Sequence, residues 1–186
     1  MPPRYVLDAC VLYPPVIRDL LLTAAVFDLF EPQWSLEILD EMRRNVLADH
    51  PVIEPERLDE RLIGAMTDAL PDACVDGHEA MVEHMDNQEK DRHVAAVAVH
   101  VGATAIVTYN VRDFGGASIE RAGIEVLTPP VLLDRWVADE PTVVRNVIVA
   151  VATRKRRPPM TELDVIASLA RQQGFRAIAA RVSDLL

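Results

Sequence analysis

Apolar positions along this chain fall into short runs separated by stripes of helical period. Tyr5, Val6 and Leu7 predict a brief strand ending on Asp8, which Cys10 to Tyr13 continues. Pro14 and Pro15 break that run and open a helix over 16–27, with Ile17, Leu20, Leu21 and Ala24 in phase. Phe27 to Pro32 reads as a second strand, and Pro32 confines it to an end or an edge. Ser35 is a good N-cap for a helix over 36–48 whose apolar face carries Leu39, Met42 and Val46. Another amphipathic helix spans 55–70, Ala73 to Val75 is a third strand, and 79–85 is a loop with a helical turn.

The stretch from Asn87 to Phe114 predicts a helix, a turn and a strand. Asp86 with Glu89 gives a capping-box pattern, and Asp91, Val94, Ala95 and Ala98 share one helical face. Gly102 ends that helix, Ala105 to Val107 forms a buried strand, and Asp113 follows it. Ile124 to Leu127 is the last strand, stopped by Pro129 and Pro130. Alternating strands and helices predict an α/β fold, a parallel sheet flanked by helices on both faces. Past Pro130 only helices follow, over 131–138, 142–154, 161–173 and 175–185, with a capping box at Thr161 and Asp164 and Gly174 between the last two. The organisation expected is an α/β domain over 1–130 and a small all-helical region over 131–186.

Composition changes this picture in three ways. Half of the residues are hydrophobic, enough for a sizeable core, and no apolar run is long enough to span a bilayer. The N-terminus does not read as a signal peptide, and Cys10 and Cys74 lack metal-site spacing; they read as reduced core thiols of a cytoplasmic protein. The net charge of −10 at first argues against a nucleic-acid partner, but it is unevenly spread. Residues 1–130 carry 10 basic and 23 acidic side chains, and residues 131–186 carry 9 and 6. The one dense basic cluster is Arg154, Lys155, Arg156 and Arg157.

Three acids stand where α/β topology can gather them: Asp8 after the first strand, Asp91 on a helix face and Asp113 after a later strand. A fourth comes from the helix over 36–48, where phase alone does not choose among Glu37, Asp40 and Glu41. Carboxylates that share a site repel one another unless a cation neutralises them, and an all-carboxylate set suits Mg2+ or Mn2+. Singly, each acid has an ordinary reading. An Asp after a strand is usually a cap or turn former, and an acid on a helix is usually solvated.

Four segments, in this order and spacing, resemble the PIN-domain nucleases, in particular the toxin nucleases of VapBC-type toxin–antitoxin pairs: YVLDACVL, SLEILDEMRRNVL, EKDRHVAAVAVHVGATAIVTYNVRDF and GIEVLTPP. The resemblance covers roughly residues 4–130. It selects Glu41 and implies a metal-dependent endoribonuclease with Mg2+ or Mn2+ held by Asp8, Glu41, Asp91 and Asp113. Asn110 would orient the last acid or a metal-bound water. A homodimer, a cognate antitoxin and a tRNA or rRNA substrate are likewise implied. The shorter toxins of the family end near the last strand, so the helical region over 131–186 is an extension. Such extensions resemble those of some PIN proteins.

Around this expected site, Arg92 is a candidate phosphate contact, and His93 at its helical phase reads as a surface or packing residue. Trp34 and Trp136 read as core or interface residues. The basic cluster at Arg154–Arg157 is a candidate grip on the RNA backbone, or else cations favoured at a helix C-terminus. The main rival reading is a catalytically silent PIN-like binding or scaffold module. A phosphatase of the haloacid dehalogenase type would need a DxD pair, and Asp8 is followed by Ala9 and Cys10.

Overall fold

A computed structural model describes residues 1–186. Four strands, β1 (Arg4–Leu7), β2 (Glu31–Gln33), β3 (Ala105–Val107) and β4 (Glu125–Leu127), form one all-parallel sheet in the order β2-β1-β3-β4. The chain builds outward from β1 to β2, then crosses back to lay β3 on the other side of β1. The order therefore reverses between β1 and β3, and the crevice beyond their carboxyl ends is where open α/β sheets bind ligands. All three residues of β3 are buried, so the sheet is covered on both faces there.

The helices are α1 (Ala9–Leu12), α2 (Pro15–Val26), α3 (Leu36–Asp49), α4 (Pro55–Leu58), α5 (Ala65–Ala69), α6 (Arg92–His100), α7 (Ala117–Ala122), α8 (Pro129–Asp139), α9 (Pro141–Arg154), α10 (Glu162–Ala170) and α11 (Arg176–Ser183). A π-helical segment, Asp59–Gly64, joins α4 to α5. Pro15 opens α2 and Ser35 caps α3 through Ile38 N, as expected. The capping box of Thr161 and Asp164 is formed in full.

Several local expectations are corrected. Cys10 to Tyr13 does not extend the first strand. Asp8 leaves β1 as the N-cap of α1, with its carboxylate accepting from Cys10 N, and turns the chain into a helix. The second strand starts at Glu31, because Phe27 to Phe30 is a turn with Asp28 in the left-handed region (φ 59°). Ala73 to Val75 contributes a single parallel bridge, Trp34 to Cys74, which leaves Cys74 exposed rather than in the core. Pro129 opens α8 instead of merely stopping β4, since Pro suits a first helical turn. The last two helices end sooner than 173 and 185.

Residues 129–186 pack as four helices. α9 lies on α2, and α10 lies on α9, α2 and α11. Phe30 stacks between Tyr5 on β1 and Trp136 on α8, with ring centroids 5.1 and 5.5 Å apart. One apolar cluster therefore runs from the sheet into the C-terminal helices. Gly174, at φ 79°, turns the chain between α10 and α11 against Pro130; a Cβ there would stand 2.9 Å from Pro130 Cγ. No helix is long and apolar enough to cross a membrane.

Candidate metal centre

The register of the sheet builds the site. Leu7 pairs with Val107, so the next residues, Asp8 and Thr108, leave the sheet side by side. Asp8 N donates to Val107 O, and Thr108 Oγ1 donates to Asp8 Oδ2 at 2.5 Å. The Cys10 thiol donates to the same oxygen at 3.1 Å. Burial, reinforced by the charge of Asp8, pushes this thiol up to about 12, so it stays a protonated donor. Asp8 and Thr108 are both buried, at the carboxyl ends of β1 and β3 beneath the crevice.

Asp113 is positioned by backbone hydrogen bonds. Phe114 is buried and anchors the 3-10 turn Val111–Phe114, whose Asp113 N donates to Asn110 O at 2.8 Å. Asp113 O accepts from Gln88 N at 3.0 Å, which ties this turn to the segment leading into Asp91. Asp91 stands at the N-cap position of α6 with φ −108° and ψ 7°, outside the helix proper. The expected capping role of Asp86 and Glu89 is corrected accordingly. Asp86 reaches forward to α7 and accepts from Ala117 N, Ser118 N and Ser118 Oγ. Those bonds hold its carboxyl down at about 2. Gly116 makes the approach possible, because a Cβ there would meet Asp86 Oδ1 at 2.5 Å.

A cleft of about 430 Å³ is lined by Glu37, Glu41, Arg44, Asn45, Lys90, Asp91, His93 and Asn110, with no apolar residue among them. Larger concavities exist, including one of about 910 Å³ along β2, but they do not contain the predicted acids. On α3, Asp40 turns outward to Arg44 (3.3 Å), while Glu37 and Glu41, four residues apart, both face the cleft. Burial raises the Glu41 carboxyl above its ordinary value; Asp8 and Asp91 push it further, while His93 and Arg44 pull it back. Burial likewise raises Asp91, with Lys90 opposing and with Asp8 and Asp113 adding to the rise. Glu41 thus lies in the field of Asp8 and Asp91, and Asp91 in that of Asp8 and Asp113, although Asp8 and Asp113 do not themselves line the cleft.

Four residues matter more than their sequence positions suggested. Thr108 follows β3 as Asp8 follows β1, a parallel the pattern could have offered. Glu37 shares a face with Glu41 at i, i+4. His93 is buried between Glu37 (Nδ1–Oε1 4.0 Å) and Glu41 (Nε2–Oε2 3.6 Å), and its Nε2 has no hydrogen-bond partner. Its burial agrees with the packing half of the expectation, but the residues it packs against are the acids of α3. Lys90 places its ammonium 2.8 Å from Asp113 Oδ2 and 3.5 Å from Asp91 Oδ2.

Other predicted contacts sit elsewhere. Arg92 Nε donates back to Asn87 O at 3.3 Å, and Arg92 does not line the cleft. Arg154 bonds to Thr23 and Lys155 pairs with Asp19, both on α2, whereas Arg156 and Arg157 are exposed. Trp34 and Trp136 are core residues.

The donors on offer are carboxylate oxygens, the kind a hard divalent cation takes, and one of them, Asp91 Oδ2, is buried without a hydrogen-bond partner. As the side chains stand, no three His, Cys, Asp or Glu residues are grouped closely enough to form a ready coordination shell. No protein-family model, curated protein or solved structure matches the chain.

Proposed function

We propose that the chain is a metal-dependent endoribonuclease with a PIN-like fold, acting as the toxin of a VapBC-like toxin–antitoxin pair. The observation that supports the reading is Asp91, a buried carboxylate at the switch point of a parallel sheet whose Oδ2 has no hydrogen-bond partner and which feels the charges of Asp8 and Asp113, with Glu41 lining the same cleft. Those four acids would hold Mg2+ or Mn2+. Such an ion supplies Lewis acidity and neutralises charge as a phosphodiester is hydrolysed.

The residues of the chain supply the frame. Thr108 and Cys10 fix one oxygen of Asp8, so its other oxygen keeps a constant direction. The backbone bond from Gln88 to Asp113 holds two acid-bearing segments together. Asn110 lines the cleft, where it would orient Asp113 or a metal-bound water. In this reading the exposed side chains of Arg156 and Arg157 contact the RNA backbone, and Arg154 and Lys155 secure α9 to α2. Antitoxin binding, a homodimer and a tRNA or rRNA target belong to the same proposal.

A second reading, a catalytically silent PIN-like binding module, draws on the Lys90 ammonium between Asp91 and Asp113 and on the absence of a ready shell. Purified protein incubated with structured RNA and Mg2+ or Mn2+ separates the two. The nuclease reading expects cleavage that EDTA stops, and a fall of about 10²–10³-fold in each of Asp8→Asn, Asp91→Asn and Asp113→Asn with circular dichroism unchanged. Undiminished cleavage in any two of these variants sinks the assignment. No cleavage by the wild-type chain under any divalent cation favours the silent module.

A further inference from the structure

We propose that Lys90 is a tethered cation that closes the acid cleft in the metal-free protein, and that a divalent ion binds by displacing its ammonium from Asp91 and Asp113. The inference rests on reading the cleft as a cation site and adds how entry to it is controlled.

The geometry supplies the argument. The ammonium contacts one oxygen from the segment before α6 and one from the turn after β3, so it bridges two elements that share the crevice. Removing every counter-charge from this cluster would leave Asp91, buried, facing Asp8, Glu41 and Asp113. Lys90 relieves that repulsion, but incompletely. Its contact to Asp91 is long, and Asp91 Oδ2 still lacks a hydrogen-bond donor. A small divalent ion carries twice the charge and approaches carboxylate oxygens far more closely than an ammonium does.

Release of Lys90 is easy for two reasons. Its side chain is 65% exposed, so little packing holds it and its exposed ion pairs are individually weak. It is a lysine, a point charge on a flexible stem, where an arginine would lock onto a carboxylate with two parallel hydrogen bonds. The closed state therefore offsets part of the repulsion among the acids without a metal and yields when one arrives.

Two measurements on the full chain test this, neither of them catalytic. The first is Mn2+ binding, read from the free-ion electron paramagnetic resonance signal, for the wild-type protein, Lys90→Met and Lys90→Arg. The methionine variant is expected to bind Mn2+ about three- to thirtyfold more tightly than wild type. The arginine variant, which keeps the charge, is expected to bind no more tightly than wild type. The second uses the chain's two lysines, Lys90 and Lys155, the latter paired with Asp19 far from the acids. Saturating Mn2+ should speed acylation of Lys90 by an amine-reactive reagent relative to Lys155, as resolved by mass spectrometry. Equal or weaker Mn2+ binding by Lys90→Met, with wild type binding normally, overturns the proposal and leaves the cation site standing. So does acylation of Lys90 that Mn2+ leaves unchanged. Failure of wild type and Lys90→Met alike to bind Mn2+ at millimolar concentration removes the cation reading itself, and the proposal with it.

Discussion

The acid cleft and the C-terminal helices are built on opposite terms. Buried side-chain nitrogen and oxygen atoms without a hydrogen-bond partner occur at Trp34, His78, Asn87, Asp91 and His93. Two of these five, Asp91 and His93, line the cleft, and none lies in residues 129–186. The C-terminal region buries Val147, Ile148, Leu169, Phe175 and Val182 almost completely, and one of its helices, α10, is closed by a full capping box. Burial of apolar surface is what folding rewards, and an unpartnered buried carboxylate is what it penalises. A region that tolerates such a penalty, on an otherwise well-packed scaffold, is the region whose groups are arranged for something other than stability.

The sharpest way to break this contrast is in the helices. Phe175→Ala should lower the unfolding free energy by about 3–5 kcal/mol in denaturant titration, because a buried ring is replaced by a cavity. Mn2+ affinity of the remaining folded protein should not change. A loss below about 1 kcal/mol would mean the tail packs loosely and that the two regions differ less than their burial suggests.

A smaller loss is expected beneath the crevice. Thr108→Val keeps the shape of the side chain but removes the hydroxyl that donates to buried Asp8. The cost should be about 1–3 kcal/mol, also by denaturant titration. A neutral result would show that Cys10 and the start of α1 satisfy Asp8 without help, and the cleft would be less finely supported than proposed.

Smallest, and opposite in sign, is Asp91→Asn in metal-free buffer. Burial raises the carboxyl of Asp91 in the folded protein, so the folded state binds its proton more readily than the unfolded chain does. That contribution favours folding at low pH and is lost as pH rises through the raised value. The variant, which has no charge to bury, should therefore melt at an equal or slightly higher temperature than wild type at pH 7. The difference should close as pH falls into the ordinary carboxylate range. Melting scans from pH 7 to pH 4 decide it; a variant clearly less stable at pH 7 would mean that its pairing with Lys90 outweighs the burial cost.

Much of this protein was legible without coordinates. The runs at Tyr5–Leu7, Ala105–Val107 and Ile124–Leu127, the helical stripes, Ser35 as a cap and the Thr161–Asp164 box all depend on neighbours within a few residues. Period and local hydrogen bonding determine such features, and both are written in the chain. The placement of Asp8 and Asp113 just past strands was legible for the same reason.

Tertiary structure alone decided the rest. The strand order sets Asp8 against Thr108, 100 positions apart, and no local pattern encodes which strand becomes the neighbour of β1. Asp86 caps a helix that begins 31 residues later, overriding the nearer capping pattern, because Gly116 lets the two segments touch. His93 meets Glu37 and Glu41 only because α6 packs against α3, more than 50 residues earlier in the chain. Lys90 finds Asp113 only once β3 and α6 lie side by side. Local propensity acts over single turns, whereas the charges of this cleft meet through a parallel sheet, whose pairings are long-range by construction.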